Sequence, residues 1–337
     1  MKGHFIIILA LILTSCEKTK EVKRQQLFLK GNIALEENNL KQAIHYYDQC
    51  IVMNDTVPDV YNNLAIAYER IGDFQNAFSN YEKAIIIAPD YYEAYFNRSK
   101  LLIDIKNYST ALIDLGQIAE AYKDSSSFYF IHGLANTGLG NYERAKEDFL
   151  KSKELNKSNK EIEINLATVY YLNNEFDPAE ISINQVLVED KLPEALNLKA
   201  MLLVERNLMD SAELVINEAI KLISNPFFYN NRGYIRLLNG DLDEGIKDIN
   251  HSLLMETNNS WAYRNKGYYY FLIKEYKQAI NLLNTSLEMD PKTKKSHLFL
   301  GKAYFESGDI DLACDHWQIS GERGEGGAGL LQTHCPR

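Results

Sequence analysis

The chain has 337 residues, a formal net charge of −10, 46% apolar residues, seven prolines and 18 glycines. That apolar fraction excludes an intrinsically disordered chain, and the acidic balance argues against a nucleic-acid-binding surface. Abundant Leu, Ile, Ala, Glu, Lys and Asn predict helix, with 22 tyrosines to supply aromatic filling.

The opening MKGHFIIILALILTSC carries one lysine, then an unbroken apolar run from Phe5 to Leu13, then small residues. The run is too short to span a bilayer as a mature helix and reads as an export signal over residues 1–15. Leu13, Thr14, Ser15 and Cys16 resemble the lipobox of bacterial lipoproteins, which implies lipidation of Cys16 and anchoring by acyl chains. The alternative is a plain secretory signal. Removing residues 1–15 leaves 35 basic against 46 acidic side chains. The charged stretch that follows predicts a tether over 16–23, at most roughly 30 Å long when extended.

From residue 24 onward one turn recurs, as in GDFQNA (72–77), GNYERA (140–145), GDLDEG (240–245) and GDIDLA (308–313). Aligned on the last residue of that turn, the chain gives Ala43, Ala77, Ala111, Ala145, Ala179, Ala212, Gly245, Ala279 and Ala313, in steps of 33 or 34. A period of this length is the signature of stacked units that bury their apolar faces only against neighbours. An apolar residue stands four places after each anchor, from Tyr47 and Tyr81 through to Leu283 and Trp317. Another stands three places before, as Leu40, Phe74 and Tyr276 do. These offsets share one helical face. Twelve residues before the anchors lie Gly31, Ala65, Ser99, Gly133, Ala167, Ala200, Gly233, Gly267 and Gly301. They predict a first helix whose small face meets the small face of the second. Gly-Asp and Gly-Asn pairs suit the turn between them, with Asp or Asn as a cap for the second helix.

The spacing, and the pattern in SWAYRNKGYYYFLIKEYKQAINLLNTSLEMDP, closely resemble the tetratricopeptide repeat. The resemblance covers residues 24–325 and implies an all-α, right-handed superhelical solenoid of about nine helix-turn-helix units, followed by a cap or tail over 326–337. Pro89 and Pro291 stand at the repeat-end proline position. Gly245 departs from the usual alanine, and Asn136 and Arg236 depart from the usual first-helix aromatic.

In this family the first helices line a concave groove. The resemblance implies peptide contact at Asn63, Asn97, Asn165, Asn231 and Asn265, whose carboxamides offer both a donor and an acceptor to an extended backbone. The competing reading is that they satisfy neighbouring helices. Around Asn231 and Asn265, helical spacing gathers Phe227, Tyr234, Trp261, Arg264, Tyr268 and Phe271, residue types common at binding hot spots. The carboxylate clamp known in some such repeats is not matched: Asn32 and Asn63 fit, but Phe28, Glu93 and Asn97 stand where two lysines and an arginine are needed.

Cys50 reads as a small core residue. Cys314 and Cys335 bracket the last helix, and similar exported repeat proteins imply a disulfide there. Cys314, His316, His334 and Cys335 are the competing metal set, at a spacing that matches no standard zinc motif. GERGEGGAG lacks the lysine and Ser/Thr of a phosphate-binding loop. No nucleophile elbow or dinucleotide fingerprint appears. The reading is therefore a non-enzymatic, cofactor-free, membrane-anchored scaffold of the cell envelope, most simply of the outer membrane, that takes a protein or peptide partner in its groove. The alternative is a glycan-binding lipoprotein that uses Trp261 or Trp317 as a sugar platform.

Overall fold

The computed structural model describes residues 20–335, so the expected signal segment and Cys16 lie outside the described residues. Of the expected tether, residues 20–23 are already helical. The expected single array divides into two compact units, the first ending at Lys157 and the second beginning at Ser158.

Unit 1 pairs α1 (20–36) with α2 (Leu40–Met53), α3 (Pro58–Arg70) with α4 (Phe74–Ile87), α5 (Tyr92–Asp104) with α6 (Tyr108–Ile118), and α7 (Ser126–Gly138) with α8 (Tyr142–Leu155). Unit 2 pairs α9 (Lys160–Leu172) with α10 (Phe176–Glu189), α11 (Pro193–Glu205) with α12 (Met209–Leu222), and α13 (Pro226–Asn239) with α14 (Leu242–Met255). It continues with α15 (Ser260–Leu272) and α16 (Tyr276–Met289), then α17 (Ser296–Ser307) and α18 (Ile310–Glu322), and ends in α19 (Gly327–His334). The described residues contain these nine hairpins and no strand.

Each hairpin is held by the pair of residues that the period singles out. The anchors are sealed from solvent, and so are Tyr47, Tyr81, Leu115, Phe149, Ile183, Ile216, Ile249, Leu283 and Trp317 four places on. The small residue of the first helix makes room for that large one. A methyl group on Gly31 would lie 2.5 Å from the Tyr47 ring, and one on Gly301 would lie 2.5 Å from Trp317. Gly245 has a similar cause, since a Cβ there would meet Leu237 at 2.8 Å and the Gly233 carbonyl at 3.0 Å.

Every hairpin turns through one left-handed residue: Asn38, Gly72, Lys106, Gly140, Asn174, Asn207, Gly240, Lys274 and Gly308. Glycine and asparagine adopt this conformation readily, and lysine does so at a cost. The expected caps form in part. Asp73 and Asp309 accept from Asn76 N and Leu312 N at 3.1 and 3.2 Å, whereas Asn141 and Asp241 make no side-chain cap bond.

A carboxylate three residues past the anchor clamps three hairpins. Arg98 grips Asp114 with two bonds of 2.7 Å, Arg232 grips Asp248 likewise, and His132 Nδ1 lies 2.7 Å from Asp148. The unusual Asn136 and Arg236 join these pairs, bonding Asp148 at 2.9 Å and Asp248 at 2.8 Å. They are polar because their hairpins carry a carboxylate to satisfy, buried at Asp248 and half-buried at Asp148.

Candidate functional site

Four positions recur on the first helices of unit 2, lying 18, 15, 14 and 11 residues before each anchor. They are Glu161, Ile164, Asn165 and Thr168 on α9; Glu194, Asn197, Leu198 and Met201 on α11; Phe227, Asn230, Asn231 and Tyr234 on α13; and Trp261, Arg264, Asn265 and Tyr268 on α15. Separations of three, four and seven put each quartet on one helical face. All of them except Tyr234, Arg264, Asn265 and Tyr268 line one cavity of about 690 Å³, completed by Tyr171, Leu172, Leu192 and Phe228. That volume is typical of a ligand-binding cleft.

The floor is apolar and buried at Tyr171, Leu198, Met201 and Phe228, while Phe227 is 44% exposed at the mouth. Asn231 Nδ2 donates to Asn197 Oδ1 at 2.8 Å, and Asn165 Nδ2 donates to the Glu161 carbonyl at 2.9 Å. Asn230, 1% exposed, accepts at Oδ1 from Asn265 Nδ2 at 2.8 Å, but its own Nδ2 has no partner among the described residues. Such an orphaned donor costs about 1–3 kcal/mol. No lysine or arginine lines the cavity, and the Glu161 and Glu194 side chains are exposed at its rim.

Four residues expected to face an open groove do not. Arg264, 2% exposed, lies between the rings of Tyr234 and Trp261 at 4.7 and 4.9 Å. It donates to Asn265 Oδ1 from Nε at 2.9 Å and to the Lys294 carbonyl from Nη1 at 3.0 Å. Burial pushes its guanidinium below the ordinary range. Tyr234 and Asn265 are equally buried, and Tyr268 stacks on Phe299 at 4.3 Å. The physical reason is that the end of unit 2 returns to its beginning. Lys294 Nζ donates to the Tyr171 and Leu172 carbonyls, both at 3.2 Å, and to Asn174 Oδ1 at 2.6 Å. Asn174 Nδ2 reaches the Arg323 carbonyl at 3.4 Å, and Lys295 pairs with Glu205 at 2.8 Å. Lys294 thus satisfies carbonyls at the C-terminus of α9, where a cation also meets the favourable end of the helix dipole. Burial pushes its ammonium down to about 8.

Asn165, Asn231 and Trp261 therefore come together at the cavity, and Asn63 and Asn97 belong to unit 1. There Asn97 donates to Asn62, Asn62 to Asn63 and Asn63 to Asn32, at 3.0 to 3.1 Å. Those amides satisfy neighbouring helices, and Tyr47 OH adds a bond to Asn32 at 2.7 Å. Sequence reasoning missed Glu161, Glu194, Asn197, Leu198, Met201 and Asn230. Extending the columns of Asn165, Trp261, Arg264 and Tyr268 through every repeat would have found them.

Cys314 and Cys335 are joined, with an S–S distance of 2.02 Å, and Cys50 is a buried free thiol. His316 contacts His297 at 2.9 Å, and His334 packs on the rings of Phe305 and Trp317. No group able to hold a metal occurs among the described residues. Trp317, 1% exposed, has no face left for a sugar.

The tetratricopeptide repeat pattern matches residues 27–55, 58–91, 126–159 and 262–293. Human sperm-associated antigen 1 is 28% identical over 102 residues, which is 30% of this chain and 11% of that protein. The Hsp70-Hsp90 organizing protein of Triticum aestivum is 34% identical over 96 residues, 28% of this chain and 16% of that one. The chain thus spans under a fifth of the length of either relative. Among solved structures, the hetero-tetramer Cut9-Hcn1 of the APC/C covers 88% of this chain and 59% of its own, with a TM-score of 0.59 at 16% identity. Tetratricopeptide repeats are present in this chain, and its fold is the all-α repeat fold of such solenoids. Proteins built of these repeats act as protein-interaction scaffolds.

Proposed function

We propose that this chain of tetratricopeptide repeats is a membrane-tethered, non-enzymatic scaffold of the cell envelope that receives an extended segment of a partner protein in the unit 2 cavity. The observation that carries the reading is the cavity itself: three consecutive first helices and the start of a fourth converge on an open, apolar-floored space rimmed by amides and carboxylates. Anchoring is assigned to lipid on Cys16, in line with the apolar run of residues 5–13 and the Leu13–Cys16 pattern. No described helix is long and apolar enough to cross a membrane. The Cys314–Cys335 bond suits an exported, oxidising location, and the outer membrane is the surface proposed.

Two substitutions test the two halves separately. Cys16→Ser should move the protein from the membrane fraction to the soluble fraction, and unchanged membrane association would refute the lipid anchor. A photo-crosslinking residue at Phe227 should capture one discrete partner protein that the same residue at Leu254, on α14 and 84% exposed, does not. Identical capture from both positions would refute the cavity as the receiving site.

A further inference from the structure

Four features of the cavity constrain its guest. First, its floor of Leu198, Met201, Phe228 and Tyr171 is buried and apolar, and it accepts hydrocarbon or an aromatic ring better than a hydroxylated one. Second, Glu161 and Glu194 stand at the same repeat position on neighbouring first helices, exposed, with no ion-pair partner among the described residues and no lysine or arginine in the lining. Third, Phe227 lies at the next repeat position, 44% exposed, and an exposed aromatic ring attracts cations. Fourth, the Asn230 side chain belongs to the floor, 1% exposed, and its Nδ2 lacks an acceptor. A guest carbonyl would supply one.

From these we infer that the cavity selects a basic-apolar peptide: an extended segment that puts one or two apolar side chains on the Leu198–Met201–Phe228 floor and lysine or arginine side chains on Glu161 and Glu194. The inference rests on the cavity being the receiving site proposed above. The geometry also sets a spacing. Packed neighbouring helices lie roughly 8–10 Å apart, and an extended polyproline II segment advances about 3.1 Å per residue and presents the same face at every third residue, so the two cations are three residues apart with the apolar pair between them turned to the floor. Arg264, the nearby guanidinium, does not oppose a basic guest from the lining. It is sealed behind Trp261 and engaged by Asn265 and the Lys294 carbonyl.

The test is fluorescence anisotropy with the full chain and three labelled dodecapeptides in a Gly-Ser background: Lys-Leu-Phe-Lys at the centre, Glu-Leu-Phe-Glu, and Lys-Ser-Ser-Lys. The first should bind at least tenfold more tightly than either of the others. Raising salt from 50 to 500 mM should weaken it severalfold, since the rim pairs are exposed. Glu161→Gln with Glu194→Gln should reduce the preference for lysine over glutamate flanks to under threefold, and Thr168→Trp, which fills the cavity from a half-buried position, should abolish binding of all three. Thermal melts of each variant confirm that it is folded. Should the glutamate-flanked peptide bind as well as the lysine-flanked one, with Thr168→Trp abolishing both, the basic class is overturned and the cavity reading survives. Peptide binding indifferent to Thr168→Trp and to Phe227→Ala would overturn both. Retention of soluble chitohexaose or maltoheptaose in place of every peptide, lost in Thr168→Trp, would overturn the peptide in favour of a glycan.

Discussion

In unit 1 the inner columns of the first helices carry Asn32, Asn62, Asn63 and Asn97, whose amides bond one another. In unit 2 the same columns keep such links, Asn231 to Asn197 and Asn265 to Asn230, beside Leu198, Met201, Tyr234 and Tyr268, just as those of unit 1 also hold Phe96, Phe130, Ile131 and Leu134. The cores differ more. Buried apolar residues of unit 1 fall into several separate clusters, whereas in unit 2 one cluster runs from Ala167 to Trp317. The hairpin period is common to both, so it does not decide this difference. Nor do the inner columns, which mix amides with large apolar groups in both; the difference lies in the contacts by which Lys294, Lys295 and Asn174 tie the last hairpin of unit 2 to its first two.

The comparison can be broken most forcefully at the core. Trp317→Ala should destabilise unit 2 by about 3–5 kcal/mol, the usual cost of emptying a large buried site. Hydrogen exchange should then show lost protection as far away as α9, while Tyr81→Ala in unit 1 should loosen only α3 to α5. Equal spreading in the two units would contradict the contrast between one cluster and several.

The next lever is Lys294, 8% exposed. Lys294→Met removes three hydrogen bonds and leaves carbonyls of α9 short of a partner, which should destabilise unit 2 by about 1–3 kcal/mol. Exchange protection should fall at the end of α9 and in α17 to α19 and stay unchanged in unit 1. A pH series sharpens the point. The folded value of about 8 is below the ordinary 10.5, so between those values the unfolded chain holds a proton that the folded one has released. Stability from this group therefore rises with pH across that window and is flat below it, and Lys294→Met should remove the rise.

Acid acts on unit 2 through His297. Burial, and then Arg323 and His316, push it down to about 4. Between pH 6.5 and 4 the unfolded chain binds the extra proton, so stability falls as pH falls. His297→Gln should flatten that part of the curve in melts followed from pH 7 to 4. The smallest effect is expected at the turns. Lys106→Gly in unit 1 and Lys274→Gly in unit 2 both relieve a left-handed lysine and should each stabilise by about 0.5–1 kcal/mol. Equal gains would show that turn energetics are local to a hairpin and blind to the unit around it.

The hairpins were legible in the sequence because each repeats its own evidence nine times: a small anchor, a large residue four on, a small residue twelve before. Half of the candidate site was legible for the same reason. Asn165, Asn231 and Trp261 sit in columns, and following those columns leads to Glu161, Glu194 and Leu198. What stayed hidden has no period. Lys294 meets carbonyls of α9 more than 120 positions away, and Arg264 occupies a column position that its neighbours close off. The division at Lys157 was likewise unannounced.

Asn174 serves two masters. Locally it is the left-handed residue of the fifth turn, a place where glycine is the standard choice, yet its amide also buckles Lys294 to one side and the Arg323 carbonyl to the other. A designer who regularised every turn of the chain to glycine would ease the backbone at positions 38, 106, 207 and 274. At 174 the same edit would undo the strap that holds a ring of helices closed.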